Sequence, residues 1–210
     1  MIFASGHSIF WRLSDETGAG HDVVSVVLAD QKADEIAEVE IETEITSPLQ
    51  SADKSEPHVD IEWNKKDLEL FLSLLHNTFD IDNNKEQVEQ IELDLTDETV
   101  LKIMHIVAAA RFSKPYPGET ILRPMWSLPS EPVRFKVGEK VSFNTIDGFK
   151  PGIIVSKDGE ELVCVLLEDV TSPKGDNIQY ERHDLLTLSK GQIFPASFSV
   201  LHANEGVTFH

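Results

Sequence analysis

Glu38-Val-Glu-Ile-Glu-Thr-Glu-Ile45 is the stretch on which the reading of the fold turns. Acids alternate strictly with apolar or β-branched residues, the period-2 pattern of a strand with one wet face and one buried face. Alternate side chains along a strand lie about 6.6 Å apart on the same side, so Glu38, Glu40, Glu42 and Glu44 share one face. Working outward, Val59, Ile61 and Trp63 alternate with Asp60 and Glu62, and Ile91, Leu93 and Leu95 alternate with Glu92 and Asp94. Val23 to Leu28 is a further β-branched run. Two helices lie among these strands. Asn64 is placed to cap a helix from Lys65 to about Asn77, with Leu68, Phe71, Leu72 and Leu75 at helical spacing. Thr96 is placed to cap a second, from Asp97 to about Phe112, with a buried stripe of Val100, Ile103, Met104 and Val107 and with Arg111 in its last turn. Strands interleaved with two helices, without βαβ repetition, predict an α+β fold whose N-terminal part is a mixed sheet.

The 210 residues hold 18 Lys+Arg against 37 Asp+Glu, a net charge of −19. So negative a chain is a poor phosphate binder overall. The charge is uneven: residues 1–60 carry 13 acids and 3 bases, 61–132 carry 13 and 7, and 133–210 carry 11 and 8. Five of the ten prolines fall in residues 115–132, where fixed φ and missing N–H donors oppose regular structure. The expected organisation is an acidic α+β domain over 1–114, with a mobile loop at 47–57, and a proline-rich connector over 115–132. One cysteine, Cys164, supports neither a disulfide framework nor a thiolate metal cage. No apolar run approaches about 18 residues and no signal peptide opens the chain, so a cytoplasmic protein without membrane partners is expected.

Beyond the connector, Val137 to Thr145, Gly152 to Ser156, Leu162 to Leu167 and Ile178 to Glu181 are short strand candidates separated by Asp147-Gly148, Asp158-Gly159 and Pro173-Lys-Gly175. The run Phe135-Lys-Val-Gly138-Glu-Lys-Val141-Ser-Phe143, then Phe149-Lys-Pro151-Gly152-Ile-Ile-Val155, Leu162-Val-Cys-Val165 and Tyr180-Glu-Arg-His-Asp184-Leu-Leu186 resembles the SH3-like barrels of the Tudor and KOW type. The resemblance covers residues 133–190. It implies a small closed barrel, followed by a C-terminal extension over 191–210. Gly138 and Gly152 would permit sharp bends in it, with Val141 and Phe143 inside.

Chemistry-bearing patterns are scarce. Asp80 to Glu86 has calcium-loop spacing, but Lys85 and Ile91 stand where glycine and a bidentate glutamate are needed. The eight histidines include no i, i+4 pair, and no phosphate-binding glycine loop or nucleophile elbow is present. No catalytic residue, metal ligand or cofactor is therefore predicted. The leading expectation is a non-catalytic adaptor that binds a basic protein surface. Its contacts would be Glu38, Glu40, Glu42, Glu44, Asp60 and Glu62 on an acidic sheet face, with Phe149 and Tyr180 on the barrel. If the Glu92–Asp94 strand joins the same sheet, the face grows to eight carboxylates, whose mutual repulsion a basic partner would relieve. The alternative is an accessory factor in nucleic-acid transactions, using Lys136, Lys140, Lys150, Lys157 and Arg182, or an acidic mimic of nucleic acid. Tudor-like cage chemistry would need converging rings and an acid such as Asp147.

Overall fold

A computed structural model describes residues 7–15, 21–30, 37–47, 58–79, 97–123, 134–171 and 178–196. The chain is α+β and divides into two compact units, Met1–Ser113 and Lys114–His210. The expected loop at 48–57, the expected Asp80–Glu86 loop, the expected Ile91–Leu95 strand with Glu92 and Asp94, Thr96, Trp126, the expected Pro173–Gly175 turn and the residues beyond Ala196 lie outside the described residues.

In the first unit, β1 (His7–Ser14), β2 (Asp22–Asp30), β3 (Ala37–Ser47) and β4 (His58–Glu62) form a sheet of order β3-β2-β1-β4. Every pairing in this sheet among the described residues is antiparallel, where a mixed sheet was the expectation. Helix α1 (Lys65–Phe79) and helix α2 (Glu98–Phe112) follow. Asn64 Oδ1 accepts from Lys66 N at 2.7 Å and Asp67 N at 3.0 Å, while Asp67 returns a bond to Asn64 N at 2.9 Å, a reciprocal cap. α2 is capped by Asp97 and not by the expected Thr96: Asp97 Oδ1 accepts from Thr99 N at 2.7 Å. The one-residue shift follows from chemistry, since a carboxylate satisfies orphan N–H groups and also meets the positive end of the helix dipole.

α2 packs on β3 and on α1. The apolar side of the sheet buries Ile9, Trp11, Leu13, Val24 and Val26. Trp11 stacks on Trp63 at 5.0 Å and meets Phe112 edge-on at 5.8 Å, and Phe71 closes on Trp63 at 5.4 Å. These rings make the centre of the first core.

The second unit contains β5 (Tyr116–Pro117), β6 (Lys140–Thr145), β7 (Gly148–Asp158), β8 (Glu161–Leu166), β9 (Val170–Thr171), β10 (Ile178–Tyr180), β11 (Leu185–Ser189) and β12 (Phe194–Pro195). Six strands form a sheet of order β12-β6-β7-β8-β11-β5, and β9 pairs separately with β10. Only β5 and β11 run parallel. Among the described residues β12 and β5 do not pair, so the strands form no closed ring. Each is two residues long and contains a proline, Pro195 or Pro117, which lacks the N–H that would extend the ladder. Part of the expected connector thus belongs to this sheet: Tyr116–Pro117 supplies an edge, and Ile121 is fully buried in the core with Phe143, Leu162, Cys164 and Leu186.

The two expected bending glycines act differently. Gly138 has φ 82 and its N–H bonds Ile154 O, as a turn residue should. Gly152 lies inside β7, where a Cβ would overlap the Phe143 ring and sit 2.7 Å from Val165 O. It is needed for close packing, because the ring occupies the volume a side chain would fill.

Candidate functional site: an acidic face and its arginine

Register decides what the glutamate row can do. On β3, Glu38, Glu40 and Glu42 stand opposite Ala29, Val27 and Ser25 of β2. On the other edge strand, Asp60 and Glu62 stand opposite Arg12 and Phe10 of β1. No two of these carboxylates face each other directly. Among the described residues, like charges are not opposed across neighbouring strands, because β2 and β1 separate the two acidic rows, while Glu92 and Asp94 lie outside those residues. The β3 and β4 backbones are three strand spacings apart, about 14 Å. The acids thus start from two rims, and the carboxylates of Glu38, Glu40 and Asp60 converge between them.

Arg12 joins the rims, and sequence reasoning missed it. It projects from the same side of β1 as Phe10, is the only Lys or Arg in the four strands, and its side chain is 12% exposed. Nε and Nη2 bond both oxygens of Asp60 at 2.8 and 3.0 Å, a bidentate fork. Nη1 reaches across β2 to Glu38 and Glu40, each at 3.1 Å. The crossing is possible because β2 presents only Ser25, Val27 and Ala29 there, all buried and small. The guanidinium also lies 5.4 Å from the centre of the Phe10 ring. Asp60, then Glu40 and Glu38, raise the arginine pKa beyond its already high value against the opposing effect of burial. The signal that could have revealed it is Ser8-Ile-Phe-Trp-Arg-Leu-Ser14, where Ile9, Trp11 and Leu13 alternate with a lone base.

Three carboxylates against one guanidinium leave the centre of the face negative. Glu42, Glu44 and Glu62 are exposed around it. A bulge lies between Val23 and Ser25 of β2 and the facing part of β3, where Thr43 turns its hydroxyl to Val24 O at 2.6 Å and is itself buried. The alternation nevertheless continues, with Glu44 exposed between buried Thr43 and Ile45.

In the second unit the predicted rings do not make a cage. Phe143 is fully buried in the core. Phe149 meets Phe194 edge-on at 5.9 Å, whereas Tyr180 meets Tyr116 edge-on at 5.5 Å and shares a 2.7 Å hydrogen bond with Thr120 Oγ1. Asp147, the acid a cage would need, is engaged elsewhere: Oδ2 accepts from Thr171 Oγ1 at 2.7 Å and Thr171 N at 3.2 Å and pairs with Lys150 Nζ at 2.9 Å. The Thr171 hydroxyl, with Lys150 and the Thr171 amide, lowers its pKa to about 2.

Of the basic residues expected to track a phosphate backbone, Lys150 serves Asp147. Arg182 lies in the tight turn that holds His183 at φ 75, where its backbone N–H donates to Asp169 at 2.7 Å. Burial raises the pKa of Asp184 in that turn, opposed by a bond from Glu181 N. Burial also raises the Cys164 thiol, which sits in the core as a small apolar residue. Among the described residues, no helix is long and apolar enough to cross a membrane. In comparisons with known proteins, no protein-family model matches this chain and no curated protein is similar to it.

Proposed function

We propose that this protein is a non-catalytic binding protein whose first unit presents the acidic side of its sheet to a basic protein surface. The observation that carries the reading is the charge inventory of that sheet. On that side β3 and β4 contribute four and two acids, and the four strands contribute one base, Arg12. Internal pairing of Arg12 consumes one positive charge and leaves an electronegative surface with rims at Glu42, Glu44 and Glu62. Complementary potentials of this kind raise association rates and select partners more than they add raw affinity. In the second unit Phe149 and Tyr180 remain candidate contacts on an SH3-like scaffold, and the KOW-like nucleic-acid role is the weaker alternative because its bases are interspersed with acids.

The test uses Glu42 and Glu62, exposed positions outside the Arg12 network. The Glu42→Lys, Glu62→Lys double variant should lose salt-sensitive capture of basic proteins from host extract. A charge-matched control, Glu69→Lys with Glu98→Lys on the exposed helix surfaces, should retain it. Equal capture by both variants would show that net charge alone, and not this face, does the binding.

A further inference from the structure

In the second unit, a recess of about 270 Å³ opens where the Gly118–Thr120 turn, the end of β6 and the residues before β12 meet. Its lining is of two kinds. Phe194, buried and braced by Phe149, and Leu122 supply an apolar wall. Glu119 and Arg123, both exposed, supply one charge of each sign. Arg123 is positioned by its backbone N–H, which bonds Asn144 O at 2.8 Å, and by Nη2, which bonds Ile146 O. Gln192 Oε1 accepts from Ser189 N and Oγ at 2.7 and 3.0 Å, leaving its amide NH2 as the donor end. Among the described residues, no ion pair joins Glu119 to Arg123 or engages either with another group.

An acid and a base that line one small recess without neutralising each other complement a molecule carrying both charges. Size narrows the choice further. The volume falls just under the roughly 300–1,000 Å³ of sites for drug-sized ligands, which suits a single small molecule. We propose that the recess binds a free α-amino acid with an apolar side chain. Its carboxylate meets Arg123 and the Gln192 amide, its ammonium meets Glu119, and its side chain covers Phe194 and Leu122. A residue within a peptide chain lacks both terminal charges and is discriminated against. This site is independent of the acidic sheet face.

Isothermal titration of the full chain with L-leucine and L-phenylalanine tests the assignment, with N-acetyl-L-leucine and L-leucinamide as singly charged controls. Both free amino acids should bind saturably, and each blocked form roughly tenfold or more weaker, since each forfeits one charge-assisted contact. Glu119→Gln, at an exposed side chain that leaves the fold intact, should weaken the free amino acids by a similar factor, while Lys157→Ala on exposed β7 should change nothing. Absence of saturable binding, blocked forms that bind as well as free ones, or unchanged affinity in Glu119→Gln would each overturn the proposal.

Discussion

The two sheets hold their strands in place by opposite means. In the first unit one arginine ties β1 to its neighbour β4 and, across β2, to β3, so polar order is long-range and passes through side chains. In the second unit polar order comes as separate small contacts with no shared hub: Asp147 meets Lys150 and Thr171, while Lys190 meets Glu160 at 2.7 Å on the exposed surface. What crosses that sheet is steric fit, with the Phe143 ring of β6 seated over Gly152 of β7. Charge can be gathered on one sheet face if a well-placed counter-charge spans it. Where it is spread, backbone packing sets the tolerance to change.

The sharpest way to break this comparison is at Gly152. Gly152→Val places branched carbons where the Phe143 ring and Val165 O already stand, and overpacking of this kind costs about 3 kcal/mol or more. The second unit's cooperative melting transition should be lost while the near-ultraviolet circular dichroism of the Trp11–Trp63 stack persists. Retention of both transitions would mean that β6 and β7 separate easily and that fit is not what orders this sheet.

A smaller loss is expected from Arg12→Ala. Three carboxylates lose their shared donor, but at 38–41% exposure they regain much of their hydration, so about 2 kcal/mol is expected instead of the larger penalty of a fully buried pair. Adding Glu38→Gln and Glu40→Gln should restore part of it, and raising salt should narrow the difference from wild type. An Arg12→Ala protein with unchanged denaturant midpoint would reduce the network to a surface contact.

The smallest effect is pH-dependent and belongs to the second unit. The Asp147 pKa falls from 3.8 to about 2 on folding, so its contribution is complete above about pH 4 and disappears as pH falls through about 2. The melting-temperature gap between wild type and Asp147→Asn should therefore be full at neutral pH, narrow below about pH 4 and close near pH 2. A gap that does not vary with pH would show that the Thr171 bonds act without the carboxylate charge.

Strand and helix placement was largely legible because burial on one side imposes its period on the residues. Glu38 to Ile45 lies in β3, Val23 to Leu28 in β2 and Val59 to Glu62 in β4, and α2 has the expected buried stripe, whereas in α1 Leu70 and Leu74 are buried with Phe71 and Leu75 while Leu68 and Leu72 are half-buried. β1 escaped notice although Ile9, Trp11 and Leu13 alternate, since Phe10 on the opposite side blurs the polar half of the pattern. The acidic rows were legible as faces, whereas the arginine that draws Glu38, Glu40 and Asp60 together was not. β11 buries Leu185, Leu186 and Leu188 and so shows no alternation, and the two-residue edges β5 and β12 are too short for any period to register.

Sequence by itself determined the α+β class, the sidedness of the strands, the position of the helices and the excess of negative charge, because each depends on neighbours along the chain. Tertiary structure alone decided that the acidic rows occupy opposite edges, that Arg12 lies between them, that Gly152 is needed for fit, and that Gln192 and Phe194 meet Glu119 and Arg123 in one recess. These outcomes depend on strand order and register, which bring together residues far apart in sequence and which no local periodicity encodes.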